Sequence, residues 1–324
     1  MNVTEFLTRI YGEIQESYAE VADREEVSCY SYVNKRYSLF KELINSLDEQ
    51  DLVNNIIKYG FFKGKITKKR FINFCDTIFK ECMTILENYY KGDIWAACKR
   101  LYALLKSKNK IARYWNDEFV NCFSFEFVKG ERCLYRMVDK EIKPNDCWHI
   151  HYENRKYASY SRYSMAGMPC LYLADSKETA NKECGKVQEG KHRWYSVFKP
   201  LNERTLFFDI RIPQNDNFDK YNLIDLIITY PVRFLCSVKV SKTSGYYHEE
   251  YYFPQLLFHL FFMSDITDLS CSYKGFVYSS TANKGGVNYV LPAIYKQKKP
   301  ILEGISPELK KIFEASEPVI LDNE

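Results

Sequence analysis

One arginine lies in a segment where a charged side chain is unexpected. Arg136 falls inside the apolar run at residues 133–138 (CLYRMV), whose aromatic and β-branched residues indicate a strand. An unpaired cation inside such a strand is costly, so the guanidinium should meet an anion. Its fixed fork of donors suits a phosphate or a carboxylate. The sequence leaves open both a ligand phosphate and an internal salt bridge.

Two further polar side chains follow predicted strands. Glu183 lies on a helical stretch at residues 177–186, directly after the apolar run PCLYLA at residues 169–174. A carboxylate there can oppose positive charge that develops on a substrate, or it can be a solvated helix acid. Ser280 opens the polar turn SSTANKGG at residues 279–286. Its hydroxyl can bind a ligand or cap the turn.

Other familiar site patterns are absent from the sequence. Nothing around Ser280 resembles the G-x-S-x-G elbow of serine hydrolases, and neither the P-loop nor the Rossmann glycine pattern occurs. His149 and His151 alternate within CWHIHY at residues 147–152, which we predict as a strand, so they would share one face and could bind a metal. Because no third ligand is apparent, we predict no metal site.

The elements that must position these residues change along the chain from helices to strands. Up to Leu105 apolar residues recur at helical spacing, as in the stripe Phe71, Cys75, Ile78, Cys82, Ile85 and Tyr89. After the polar segment KSKNK, short runs predict strands: FSFEFV, CLYRMV, CWHIHY, PCLYLA, TLFFDI, RFLCSVKV and FVYSS. Helices are predicted at 177–186, after Pro254, and from Ser306 to about Glu314. We expect the tail EPVILDNE to lack regular structure.

This change from helical spacing to short strand-like runs predicts an α+β protein with contiguous domains. Residues 1–115 form an α-helical N-terminal domain, residues 116–300 a mixed α and β domain, and residues 301–324 a C-terminal helix and tail. The charge of +4 arises from 46 basic and 42 acidic residues spread along the chain, so nucleic acid is not indicated. Without a leader or a long apolar span, and with 11 cysteines that form no CxxC pair, we expect a cytoplasmic protein with reduced thiols and no membrane association.

Four spaced elements within residues 126–300 together resemble the RES-domain family, which is named for an arginine, a glutamate and a serine. They are LYRM (134–137), SRYSMAGMPCLYLADSKETANKE (161–183), YFPQLL (252–257) and GFVYSSTANKGGVNYVLP (275–292). The chain departs from the family at Ser279, where many relatives have proline, and at Asn181 and Lys182, where small apolar residues usually precede the glutamate. These departures bear on local geometry.

The resemblance implies an ADP-ribosyltransferase-like mixed β-sheet core and an enzyme that degrades NAD. Cleaving the nicotinamide-ribosyl bond, by hydrolysis or phosphorolysis, passes through an oxocarbenium-like transition state whose charge Glu183 would oppose. Arg136 would bind the pyrophosphate and Ser280 a phosphate oxygen or the nicotinamide amide. The further NAD-binding residues implied are Arg162, Tyr163, Tyr172, His149 and Asn288, although core packing is an alternative for each tyrosine in a chain with 27 of them.

Family members commonly act as toxins of bacterial toxin–antitoxin pairs, so the resemblance implies a toxin or an antiviral defence effector. Its expected partners are NAD, a helix-turn-helix antitoxin or another regulator, and a second copy in a homo-oligomer. Two alternatives stay open: an ADP-ribosyltransferase that modifies a protein or nucleic acid, and an inactive module that only binds a nucleotide. The sequence does not choose a role for the helical first third.

Overall fold

The chain divides into two units, each built from two stretches of sequence. In the computed structural model, Met1–Phe123 and Ile212–Leu260 form the first unit, and Ser124–Arg211 and Phe261–Glu324 form the second. The residues that the structure describes are 1–20, 28–58, 67–107, 118–139, 141, 143–186, 192–213, 218, 222–240, 248–262, 273–294 and 304–321. The units therefore differ from the predicted contiguous domains, because residues 212–260 group with the N-terminal helices.

The helices and strands are as follows. The described helices are α1 (Val3–Glu20), α2 (Cys29–Asn45), α3 (Glu49–Lys58), α4 (Lys68–Tyr90), α5 (Ile94–Leu105), α6 (Lys177–Glu183), α7 (Leu223–Ser237), α8 (Tyr252–Phe262) and α9 (Pro307–Ile312). The described strands are β1 (Ser124–Val128), β2 (Leu134–Val138), β3 (Cys170–Ala174), β4 (Trp194–Pro200), β5 (Arg204–Asp209), β6 (Phe276–Ser279), β7 (Val287–Pro292), β8 (Phe313–Ala315) and β9 (Val319–Ile320).

The first unit is a helical assembly around α7. The apolar stripe predicted in α4 is confirmed, since Phe71, Ile78 and Ile85 are fully buried. The Tyr11 hydroxyl of α1 donates to the Leu226 carbonyl at 2.9 Å, and the Phe40 and Tyr230 rings stack at 5.1 Å. Among the described residues, no helix combines the length and apolar character needed to cross a lipid bilayer.

Helix α7 corrects the predicted strand RFLCSVKV, because residues 233–237 are helical. The Asn222 side chain caps the helix by accepting from the backbone N–H groups of Ile224 and Asp225. Nearly every residue of α7 is buried. The predicted strand begins at Arg233, near the end of α7, where Phe234, Leu235 and Cys236 form a short apolar run. Such a run does not distinguish a strand from a buried helix.

Over its described residues, the second unit contains a mixed sheet of nine strands. The order is β1-β5-β6-β7-β3-β2-β4-β8, with β9 also paired to β4. Strands β5 and β6 are parallel, and the other pairs are antiparallel. The predicted strands FSFEFV, CLYRMV, PCLYLA, TLFFDI and FVYSS are confirmed.

Two predictions about the ends and loops of this unit are wrong. Residues 147–152 (CWHIHY) form no strand, because a 3-10 turn at Pro144–Cys147 leads into an irregular segment. The C-terminal tail is not without structure, since Val319–Ile320 pairs with β4 and the Leu321 N–H donates to the Arg193 carbonyl at 2.7 Å. A two-residue edge strand has too few residues to show a period.

The sheet has two different faces. On the core face, alternate residues of β3 and β7, such as Leu171, Leu173, Tyr289 and Leu291, pack in the main hydrophobic cluster. The opposite face, called here the site face, carries the intervening residues of the same strands. Helix α6 packs on the site face, where Ala180 contacts Ala174 and Met137.

Candidate functional site

Three residues predicted from the sequence meet on the site face. Oε1 of Glu183 accepts one hydrogen bond from Ser280 Oγ and another from Asn288 Nδ2, each 2.6 Å long. The three residues belong to the end of α6, the turn after β6 and strand β7, so residues about 100 positions apart form one group. Two donors on a single carboxylate oxygen fix its orientation.

Strand register explains why Asn288 is on this face. Asn288 lies opposite Ala174 of β3 and Tyr278 of β6, and residues directly opposite in antiparallel strands share a face. Its side chain is buried, with 5% exposed. A buried amide needs partners, and the Glu183 carboxylate supplies the acceptor.

Helix α6 brings Glu183 to Asn288 of the central strand β7 and to the turn after β6. Ser176 Oγ caps its first turn by accepting from the Thr179 N–H at 3.0 Å. At the other end the buried Arg193 guanidinium donates to the Asn181 and Gly185 carbonyls, each at 2.7 Å, and to Asp139 Oδ1 at 2.6 Å. Arg193 therefore holds the backbone on both sides of Glu183, whose own side chain is exposed.

The Ser280 hydroxyl has its proton directed toward Glu183. Its oxygen accepts from the backbone N–H groups of Ala282, at 3.2 Å, and Asn283, at 2.9 Å. The hydroxyl therefore caps its turn and also donates to the carboxylate, so the two alternatives posed by the sequence occur together. Among the described residues, Oε2 of Glu183 accepts no hydrogen bond, which leaves that oxygen available to a ligand.

The two predicted tyrosines are also on the site face, in different environments. Tyr163 is 2% exposed, and its ring packs against Tyr278 at 4.7 Å and Phe276 at 5.9 Å. Tyr172 is half-buried, and its hydroxyl bonds Ser161 and Ser164. Tyr163 thus has the packing role that the sequence left open.

Arg162 is half-buried and lies between Ser161 and Tyr163. Both neighbours contact site-face residues, since Ser161 bonds Tyr172 and the Tyr163 ring packs on Tyr278. The segment turns at Gly167, which has φ +80, and the Gly167 N–H donates to the Ala158 carbonyl at 2.9 Å. This segment therefore places a cationic residue directly beside Tyr163.

Arg136 is not part of this group. Arg136 is two positions from Leu134 in β2, so the two side chains share a face, and Leu134 packs in the core-face cluster. The intervening Tyr135 pairs with Ala174 and packs on the site face. Arg136 Nη1 donates to the backbone carbonyls of Trp148, at 2.6 Å, and Cys147, at 3.3 Å. Burial lowers the pKa of Arg136. The cation therefore meets carbonyl oxygens of its own chain rather than the expected anion.

His149 is likewise away from the Glu183 group. It is 1% exposed, its Nε2 accepts from the Ser306 N–H at 2.8 Å, and its Nδ1 is 2.6 Å from the Ile150 carbonyl. An acceptor at Nε2 requires the proton on Nδ1, and burial lowers the pKa of His149 to about 4. His151 instead lies near Asp146, at 3.2 Å, and Glu153, at 3.4 Å. In the part of the chain that the structure describes, no three ligating side chains cluster as a metal site would require.

Sequence reasoning missed four residues that build the site. Arg193 holds the end of α6, Asn283 and Thr179 join the 279–286 turn to that helix, and Gly286 packs against it. The turn chemistry of SSTANKGG indicated a bend at these positions. Nothing in the sequence pairs Asn283 with Thr179, because 104 positions separate them.

Comparison with known proteins gives one sequence relative and one solved structure. The chain is 26% identical over 285 residues to a Bacillus subtilis (strain 168) protein named "Putative toxin YopC". The match covers 80% of this chain and 60% of YopC, so the chain spans about three fifths of that relative. No family model matches the chain.

The solved structure is the crystal structure of the M. tuberculosis MbcT-MbcA toxin-antitoxin complex. It aligns with 60% of this chain and 87% of the matched chain, at 12% identity and a TM-score of 0.32.

Proposed function

We propose that the chain degrades NAD at the Glu183 group by cleaving the bond between nicotinamide and ribose. The observation that carries the proposal is the exposed Glu183 carboxylate, which Ser280 and Asn288 hold through one oxygen. A carboxylate whose orientation is set in advance stabilises an oxocarbenium-like transition state without reorganising during the reaction.

The chemistry breaks one bond and forms one. The C1′–N bond of the nicotinamide riboside breaks, and nicotinamide leaves with the bonding electron pair as a neutral molecule. An oxygen of water or of inorganic phosphate bonds to C1′, and the nucleophile releases a proton when water attacks. The products are nicotinamide and either ADP-ribose or its 1-phosphate.

We assign the residues the following roles. Glu183 opposes the positive charge on the ribose, while Ser280 and Asn288 orient its carboxylate. Arg162, beside Tyr163, binds a phosphate or the ribose, and the half-buried Tyr172 contacts a ring of NAD. Arg136 and His149 have no role in this proposal, because their side chains bond the backbone near the core-face cluster.

Proton NMR of the purified chain with NAD tests the proposal directly. We expect free nicotinamide to accumulate with the wild-type chain, and we expect Glu183→Gln to slow its release by roughly 10²-fold or more, because the amide keeps the shape and loses the charge. A dependence on added phosphate separates phosphorolysis from hydrolysis. Equal rates for the wild-type chain and Glu183→Gln would exclude this mechanism, and no release by either would favour a binding module.

We also propose that this activity makes the chain a toxin. The similarity to a protein named as a toxin supports the proposal, although the chain spans only 60% of that relative. Induced expression should halt bacterial growth and deplete cellular NAD, and Glu183→Gln at equal protein level should do neither. An antitoxin partner, a homo-oligomer and a cytoplasmic location remain predictions from the family resemblance.

A second candidate function keeps the site and changes the acceptor. The exposed Glu183 side chain leaves room for a macromolecular nucleophile beside the ribose. Incubating cell extract with NAD labelled on the adenylate phosphate would then leave label on protein or nucleic acid, and only with the wild-type chain. Label that remains entirely in small molecules would exclude transfer.

A further inference from the structure

Asn283 makes four hydrogen bonds, two to helix α6 and two within the turn after β6. Its Nδ2 donates to Thr179 Oγ1 and its Oδ1 accepts from Lys182 Nζ, each at 2.9 Å. Its backbone N–H donates to Ser280 Oγ at 2.9 Å, and its carbonyl accepts from the Gly286 N–H at 2.9 Å. Both sides of the side-chain amide are therefore satisfied by the helix, and both backbone groups by the turn.

The helix side of this contact is firmly held. Thr179 is fully buried, and its hydroxyl lies 2.8 Å from the capping Ser176 hydroxyl. The Gly286 backbone lies so close to Thr179 that a Cβ on Gly286 would be 2.5 Å from Thr179 Oγ1 and 2.7 Å from Thr179 Cγ2. The turn thus rests directly on the helix at Thr179.

Two of the hydrogen bonds between turn and helix are arranged side by side as parallel rungs. Asn283 bonds Thr179, and Ser280 bonds Glu183. Thr179 and Glu183 are four positions apart, on the same side of the helix. On the turn, Asn283 and Ser280 are three positions apart and are joined by their own hydrogen bond. A shift at the first rung therefore moves the second.

We propose that Asn283 is a positioning residue for NAD cleavage, which sets the place of the Ser280 hydroxyl and through it the orientation of the Glu183 carboxylate. The inference rests on the proposed function. Because Asn283 acts through Ser280 and not on NAD, its loss lowers kcat while KM for NAD changes little. A displacement of about 1 Å at a reacting group can cost up to about 10²-fold, so a loss of tenfold or more is expected.

The experiment compares Asn283→Ala with Thr179→Val, which removes the other half of the same hydrogen bond and nearly keeps the side-chain shape. Each should lower kcat for nicotinamide release by about tenfold or more, and the double variant should lower it no further. In a Ser280→Ala background, Asn283→Ala should have no added effect. Lys284→Ala, exposed in the same turn, is the matched control and should behave as wild type.

Several outcomes would overturn the inference. A wild-type kcat in Asn283→Ala or in Thr179→Val would do so, and so would losses that multiply between Asn283→Ala and Ser280→Ala. If Asn283→Ala does not fold, Thr179→Val alone and in the Ser280→Ala background decides the question. An equal loss in Lys284→Ala would indicate a general effect of the turn and would also overturn it.

Amide hydrogen exchange separates this inference from the proposed function. The N–H groups of Ala282, residue 283 and Gly286 are hydrogen-bonded within the turn. We expect them to exchange faster in Asn283→Ala and Thr179→Val than in the wild-type chain or Lys284→Ala. If the wild-type chain releases no nicotinamide, the proposed function fails, and this exchange decides the positional role. Unchanged exchange would overturn that role.

Discussion

At the scale of single residues, the amide of Asn288 tests whether the Glu183 group works as described. In the wild-type chain the Asn288 amide donates to Glu183 Oε1 over 2.6 Å. Asn288→Asp replaces this donor with a second carboxylate. Two carboxylates at that distance share a proton, so the pKa of one is raised above the ordinary Asp value of about 3.9. The folded variant then binds a proton that the unfolded chain has already released, and its stability falls as the pH rises above about 4.

We expect Asn288→Asp to unfold at a clearly lower temperature than wild type at pH 8, and to differ much less at pH 5. Nicotinamide release should fall at pH 8 and recover in part toward pH 5. Asn288→Ala, which adds no charge, is the control and should show a loss that does not vary in this way. Parallel pH profiles for the two variants would show that Asn288 and Glu183 are not coupled.

Two adjacent glycines in the 279–286 turn are needed for different reasons. Gly285 has φ +85, so Gly285→Ala is strained through its backbone by about 1–2 kcal/mol. At Gly286 the Cβ would instead overlap Thr179, and overpacking of this kind costs about 1–3 kcal/mol. Thr179→Ala removes the overlapping atoms.

Urea unfolding of a double-mutant cycle distinguishes the two causes. Thr179→Ala should recover most of the free energy of unfolding lost in Gly286→Ala, once the effect of Thr179→Ala alone is subtracted. It should recover none of the loss in Gly285→Ala. Equal recovery in both glycine variants would contradict the steric account of Gly286.

At the scale of elements, His149 joins the segment before residue 152 to the start of α9. Its neutral ring accepts the Ser306 N–H, and burial lowers its pKa to about 4 from an ordinary value near 6.5. Between these values the unfolded chain binds a proton that the folded chain does not, so stability is complete above about pH 6.5 and is lost as the pH falls toward 4. The loss reaches roughly 3 kcal/mol at most.

Denaturant unfolding measured from pH 7.5 to pH 4 checks this expectation. His149→Gln keeps a side-chain acceptor for the Ser306 N–H but cannot take up a proton, so its stability should fall less over this range than that of the wild-type chain. Comparison at pH 7.5 isolates the cost of the substitution itself. If both chains lose the same free energy on acidification, the ring does not control this junction.

Elements with a clear period could be predicted from the sequence, and those fixed by burial or by distant pairing could not. The stripe of α4 was found because one face of the helix is apolar, and the strand PCLYLA was found because it is a short apolar run. Helix α7 is buried on nearly all sides, and β9 has only two residues and depends on β4 for its pairing. Both lack the local signal that sequence reasoning uses.

The candidate site shows the same division. Motif order identified Glu183, Ser280 and Asn288, which the structure brings together. Arg136 lies in a correctly predicted strand, but strand alternation alone does not say which face of the sheet meets the helix α6. The contacts of Asn283 with Thr179 and of Arg193 with the end of α6 depend on tertiary packing, which no local pattern records.

At the scale of the whole molecule, each unit is built from two stretches of sequence that the other unit's residues separate. Residues 212–260 separate the two stretches of the second unit and group with the N-terminal helices. Within that first unit, α7 packs against α1 and α4 and buries side chains such as Leu226, Ile227 and Phe234. Exposing one such side chain costs about 1.5–3 kcal/mol, so α7 needs its helical partners.

This dependence predicts how fragments of the chain behave. A fragment of residues 116–324 retains α7 without α1 and α4, so we expect it to aggregate or to lack the near-ultraviolet circular dichroism of packed aromatic rings. A fragment in which a glycine-serine linker replaces residues 212–260 removes the exposed helix and should recover a cooperative unfolding transition. If residues 116–324 fold cooperatively and remain monomeric, α7 does not require the N-terminal helices, and the contiguous domains predicted from the sequence would describe the folding units better.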